Sequence, residues 1–162
     1  MKYMVRIAKH SINTVQMMTL AAVLALLVPM VSRAGAFPVP ARAQADIDTA
    51  IAQAQHKRVL VAFGADWCPD CRVLATLLAR PENEMLLKAD YVLVRVNVGR
   101  DGITDNFDIA KRYGIPLKKG VPALAVLDAE GKLIYAQQNG EFESMRGMDP
   151  KSVNEFLNRW KP

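Results

Sequence analysis

Along this chain the spacing of apolar residues switches between two regimes, and the switch points mark the elements. Val59-Leu60-Val61-Ala62-Phe63 is an unbroken apolar run of strand length, which predicts a strand covered on both faces. Tyr91 to Val98 alternates and is rich in β-branched residues, predicting a second strand. Ala123 to Leu127 and Lys132 to Gln137 flank the turn-forming Asp128-Ala129-Glu130-Gly131, which predicts an antiparallel hairpin. Helical spacing takes over elsewhere. Ile47 and Ile51 stand four apart in the Ala- and Gln-rich stretch from Ala41 to Gln55, with Asp46 and Asp48 near its start. Val73, Leu74, Leu77 and Leu78 repeat helically until Arg80-Pro81, Asn83 to Lys88 continues as a further piece, and Asn106 to Tyr113 predicts a short helix stopped by Gly114. After Asp149-Pro150, the residues Val153, Phe156, Leu157 and Trp160 form one apolar stripe, which makes Trp160 a core residue. The order helix, strand, helix, strand, helix, strand, strand, helix predicts an α/β domain, a mixed sheet with helices on both faces.

The start of the chain fits neither regime. Lys2, Arg6 and Lys9 precede an apolar run, Leu20 to Val31, that holds no charge, followed by the small residues Ala34, Gly35 and Ala36. This is the layout of an export leader, cut between Ala36 and Phe37, with Ser32-Arg33-Ala34 as a second candidate site. The alternative is an uncleaved membrane anchor over residues 15–31, close to the roughly 17 to 25 residues needed to span a bilayer. Gln16, Thr19 and Pro29 interrupt the run and favour the leader. The organisation expected is thus a leader over 1–36, a linker over 37–45 that begins with the stiff Phe37-Pro38-Val39-Pro40, and a domain over 46–162 in an exported compartment such as a periplasm.

Composition narrows the function classes. Of 162 residues about half are apolar, as in an ordinary globular domain. The net charge of +5 belongs largely to the leader: without Lys2, Arg6, Lys9 and Arg33 the balance is 17 basic to 16 acidic residues. A near-neutral domain without a basic stripe gives nucleic acid no footing, and Lys118-Lys119 reads as a solvated loop. Two cysteines in an exported chain would ordinarily form a structural disulfide. Cys68 and Cys71 are separated by two residues only, and so small a loop removes little unfolded-chain entropy; such a bridge suits exchange better than stability. A zinc site would need four ligands, and the chain offers beyond this pair only His10 and His56. No metal is expected, and His56 reads as a surface residue.

The chemistry implied by the pair is nucleophilic. Only a thiolate attacks a disulfide, and a free thiol with a pKa of about 8.5 is mostly protonated at neutral pH. At a strand-to-helix junction the unpaired N–H groups and dipole of the helix favour a negative sulfur on Cys68, expected to be the solvent-facing cysteine. Pro69 suits a first helical turn, and Cys71, one turn deeper, is placed to resolve a mixed disulfide.

Phe63-Gly64-Ala65-Asp66-Trp67-Cys68-Pro69-Asp70-Cys71 after an apolar strand resembles the active site of the thioredoxin superfamily, and the likeness covers nearly all of residues 45 to 160. The resemblance implies a thioredoxin-like fold with a central sheet of four to five strands and a redox-active Cys68–Cys71 disulfide as sole cofactor. Trp67, Pro69, Asp70 and Asp66 would support the cysteines. It aligns Gly120-Val121-Pro122 with the family's cis-proline loop, so that Pro122 would be cis and Val121 would offer its backbone to substrate. One departure concerns Ala62, where thioredoxin carries a buried aspartate that helps deprotonate the second cysteine. Another is Pro69-Asp70, similar to small thioredoxin-related proteins and unlike the histidine-containing pairs of isomerases and oxidants. A histidinium would stabilise the thiolate, whereas carboxylates at Asp70 or Asp66 act in the opposite sense, so a reductant of exported proteins is expected. The partners implied are disulfide-bearing proteins and a membrane-embedded thiol carrier supplying electrons to a monomer. An exported oxidase or isomerase, and a non-catalytic module with a static bridge docking through Trp67 and Val121, are the competing readings. Choice of substrate could come from Gly99 to Asp105 and Pro116 to Lys119, which equally read as plain surface loop.

Overall fold

Strand β1 (Arg58–Gly64) is the centre of the molecule because both of its faces are apolar: Val59, Leu60, Val61 and Phe63 are fully buried and Ala62 nearly so. The structure, a computed structural model, describes residues 37–162. The leader with its two cutting sites, the anchor alternative at 15–31 and His10 lie outside the described residues. Around β1 run helix α1 (Ala43–Ala54), α2 (Pro69–Leu78), α3 (Pro81–Asp90), β2 (Tyr91–Asn97), α4 (Phe107–Arg112), β3 (Ala123–Leu127), β4 (Leu133–Ala136) and α5 (Lys151–Trp160). The sheet order is β2-β1-β3-β4, with β2 parallel to β1 and the other pairs antiparallel. It is the mixed four-stranded sheet that the alternation of elements implies.

Alternate residues of β1 feed two separate cores. Val59, Val61 and Phe63 join Ile47, Ala50 and Ala54 of α1 and Ile109 and Ala110 of α4. Leu60 and Ala62 join Leu74, Leu77 and Leu78 of α2 and Val153, Phe156 and Leu157 of α5. Each Val, Leu, Ile or Phe side chain so buried contributes about 1.5–3 kcal/mol relative to exposure, and each alanine methyl less. The buried seam of α1 runs through Ala43, Ile47, Ala50 and Ala54, so small residues bring this helix close to the sheet, while Ile51 is only partly buried. On the second face, buried polar groups tie helices together. Asn83, fully buried, donates from Nδ2 to the Leu77 carbonyl at 2.8 Å and accepts from Asn154 Nδ2 at 2.9 Å. Tyr91 donates from Oη to the Leu157 carbonyl at 2.6 Å, and burial, reinforced by Asp90, pushes its phenol pKa well up. Trp160 is partly buried, its ring 5.0 Å from that of Tyr135.

The reading of 37–45 as a linker does not survive. Pro40–Arg42 is a 3-10 turn, α1 begins at the buried Ala43, and Asn97 and Asn106 donate through Nδ2 to the carbonyls of Pro38 and Pro40, each at 3.0 Å.

Candidate active site

At the end of β1 the chain turns through Ala65, Asp66 and Trp67, and the Cys68 N–H donates to the Ala65 carbonyl at 3.2 Å. Cys68 is the N-cap of α2, its backbone extended (φ −79, ψ 115), with Pro69 in the first turn. A proline there forfeits no hydrogen bond, since the first turn's N–H groups have no helical partner. The Cys71 N–H donates to the Cys68 sulfur at 3.1 Å, so sulfur occupies the place that a serine or aspartate oxygen takes in an ordinary cap. Cys68 and Cys71 are joined as a disulfide, their Cα atoms 5.2 Å apart.

Cys68 is not the solvent-facing cysteine expected from the motif: it is 3% exposed, Cys71 2%. Bridged to Cys71, its sulfur sits 3.4 Å from the Val121 carbonyl oxygen, under the loop that enters β3. The Val121–Pro122 peptide is cis. This loop is bolted from behind by the buried Gln137, whose Oε1 accepts from the Leu124 N–H at 3.2 Å and whose Nε2 donates to the Pro122 carbonyl at 3.4 Å. What meets solvent instead is Trp67, 38% exposed, together with Asp66 and Pro69. The Trp67 indole is held by donation from Nε1 to the Gly99 carbonyl at 2.9 Å, which ties the 99–105 loop to the motif. His56 is exposed at a turn, away from these groups in the sequence, and among the described residues no cluster of His, Cys, Asp or Glu could hold a metal ion.

Three groups come to the site whose part in it the motif does not announce. Gly64 is one: a Cβ there would stand 2.6 Å from Phe37 Cζ and 2.9 Å from the Cys71 sulfur, so only a glycine lets the Phe37 ring and that sulfur close over the end of β1. Phe37 is the second. The third is Arg146, in a short 3-10 turn (Met145–Gly147), 76 residues beyond Asp70. Its backbone N–H donates to Asp70 Oδ1 at 3.0 Å, its Nε to both carboxylate oxygens at 3.2 Å, and its guanidinium completes the ion pair at 3.2 Å. The Arg146 backbone N–H, followed by its side chain, outweighs burial and holds the Asp70 carboxyl below its ordinary pKa. This corrects the electrostatic reading of Pro69-Asp70, for the Asp70 charge is matched by Arg146 and does not act on Cys68 alone. Ala62 packs in the core of the α2 and α5 face, and Asp70 is the sole buried carboxylate among the described residues, so no second one replaces the family's aspartate near Cys71.

A sheet of this topology with a cysteine pair capping the helix after its central strand defines a dithiol–disulfide protein of the thioredoxin fold. A family model described as Thioredoxin-like matches residues 41–129. The chain belongs to that thioredoxin-like family. It is 32% identical over 122 residues to the thiol:disulfide interchange protein DsbD of Pseudomonas fluorescens, a stretch covering 75% of this chain but 18% of that relative, so the chain spans less than a fifth of it. It is 31% identical over 96 residues to the thioredoxin of Buchnera aphidicola, covering 59% of this chain and 78% of the other. A disulphide isomerase from Xylella fastidiosa superposes with a TM-score of 0.72 at 29% identity, over 79% of this chain and 98% of the other.

Proposed function

We propose that the chain reduces disulfides of exported proteins as a monomer. Support comes chiefly from one observation, the Cys68 sulfur accepting the Cys71 N–H at the head of α2. In the reduced protein that N–H and the helix dipole stabilise a Cys68 thiolate. The thiolate attacks a substrate disulfide, forming a mixed disulfide and releasing one substrate thiolate. Cys71 then attacks the Cys68 sulfur, closing the Cys68–Cys71 bridge and releasing the second substrate sulfur, while the Cys71 proton passes to the first released thiolate. Two electrons leave the dithiol and reduce one bond. Trp67 and the Val121 backbone flank the sulfur and bind the substrate chain, Pro122 and Gln137 fix that backbone, and Pro69 sets the helix start. No cofactor beyond the cysteine pair takes part. Its re-reduction calls for a membrane-embedded thiol carrier, a partner class in keeping with the thiol:disulfide interchange proteins that the chain resembles. The leader delivers the domain to the compartment where such carriers discharge.

With Asp70 matched by Arg146, the reducing direction rests on the absence of a histidinium beside Cys68 rather than on an uncompensated carboxylate. Insulin reduction by the dithiol form should proceed and vanish in Cys68→Ser; undiminished reduction by that variant defeats the reading. A reduction potential nearer to about −120 mV than to about −270 mV would reverse the direction. Likeness to a disulphide isomerase favours a second reading, reshuffling of wrong bonds. Recovery of activity from a scrambled substrate protein, faster than by reduction alone, would select it.

A further inference from the structure

Beside the disulfide a groove of about 590 Å³ opens between α2 and the 145–150 segment. Pro69 lines its near end and is bonded to Cys68, so the groove starts one residue from the reacting sulfur. Val73, Leu77, Met145 and Met148 form an apolar lining. Unbranched methionines adapt their shape to varied apolar side chains. Arg72, Arg80 and Arg146 complete the wall, all three exposed, and no acidic residue lines it. The Arg72 guanidinium is anchored by donation to the Asp66 carbonyl at 3.0 Å, and Arg146 by Asp70. With the Arg146 charge matched by Asp70, Arg72 and Arg80 are the cations beside this apolar trough, and it complements a chain segment with apolar side chains flanked by carboxylates.

From this geometry we infer that the groove is a docking site for an acidic-flanked apolar segment of the partner protein, adjacent to the partner's reactive cysteines, and that Arg72 and Arg80 determine which partners are served. The inference rests on the proposed function only for what the bound partner then undergoes.

Two cysteine-free synthetic peptides test it, sharing one aliphatic core and differing in aspartate or lysine flanks, titrated calorimetrically against the oxidised protein. The aspartate peptide is expected to bind about tenfold tighter at low salt, and R72E/R80E to invert the order. Equal affinities for wild type overturn the inference without recourse to any variant. So does concentration-dependent self-association in sedimentation that R72E/R80E abolishes, which would assign the groove to a second copy. Disulfide-bridged versions of the same peptides should show the same ranking in KM. A protein that reduces neither version but keeps the ranking in binding sinks the reductase reading and leaves the docking site standing.

Discussion

Asp70 and Arg146 show how far a residue's chemistry depends on what the fold brings to it. In sequence Asp70 is a carboxylate between two cysteines; in the structure it is a buried acceptor of three Arg146 hydrogen bonds. Arg146→Met leaves that carboxylate uncompensated two residues from Cys68, which disfavours the thiolate. The expected outcome is a raised Cys68 pKa, read by thiolate absorbance, and a more negative reduction potential. The pair also makes stability depend on pH. Because the folded Asp70 pKa is lowered, the unfolded chain binds the proton more readily, and stability rises with pH between the folded value and the unfolded one of about 3.9. The contribution is therefore complete above the unfolded value and lost as pH falls through the folded one. Urea midpoints of the wild type should fall more steeply than those of Asp70→Asn as pH is lowered from about 5 to 2; parallel curves would mean that the ion pair contributes nothing.

At the scale of elements, the departure from the expected layout lies in the segment before α1, which is strapped to the sheet end by Asn97 and Asn106. Asn106 carries much of this: at φ 60 it occupies the left-handed region, and its Nδ2 reaches both the Pro40 carbonyl at 3.0 Å and the Asn97 carbonyl at 2.7 Å. Asn106→Ala loses both bonds and pays the left-handed penalty, about 2–3 kcal/mol together, while Asn106→Gly keeps the backbone at ease and costs less. Chemical denaturation of the two variants checks that order. Gly64→Ala would force a methyl between Phe37 and the Cys71 sulfur, an overpacking cost of about 1–3 kcal/mol, and is expected to disturb the rate at which Cys71 resolves a mixed disulfide. The strap escapes sequence reading because its binding is done by backbone carbonyls, which leave no side-chain pattern. The strands and main helices were legible for the opposite reason: Val59 to Phe63 and the Val153-Phe156-Leu157 stripe advertise their burial by apolar spacing.

Seen whole, the molecule divides its labour across the sheet. Both cysteines belong to the core shared with α1 and α4, whereas the rest of α2 packs on the opposite face with α5. The nearness of the junction motif to the Pro122 loop, which makes them a candidate site, was legible because their residues are adjacent in the chain or carried by a family resemblance. Arg146 and Gln137 were not, because a lone arginine in a polar turn and a glutamine ending a strand look like surface until the fold places them. That division makes redox state a property of the entire fold, open to a thermodynamic test of direction. Folding and reduction form a closed cycle, so any difference in stability between oxidised and reduced protein equals the difference between the native potential and that of the unfolded chain. A strong oxidant is one whose reduced form is the more stable; a reductant must show the reverse. The gap between potentials of about −270 and −120 mV corresponds to about 7 kcal/mol for two electrons, far more than denaturation experiments need to resolve. The oxidised protein should therefore unfold at the higher urea concentration. If the dithiol form proves the more resistant, electrons flow toward Cys68 and Cys71 rather than away from them, and the chain makes disulfides instead of breaking them.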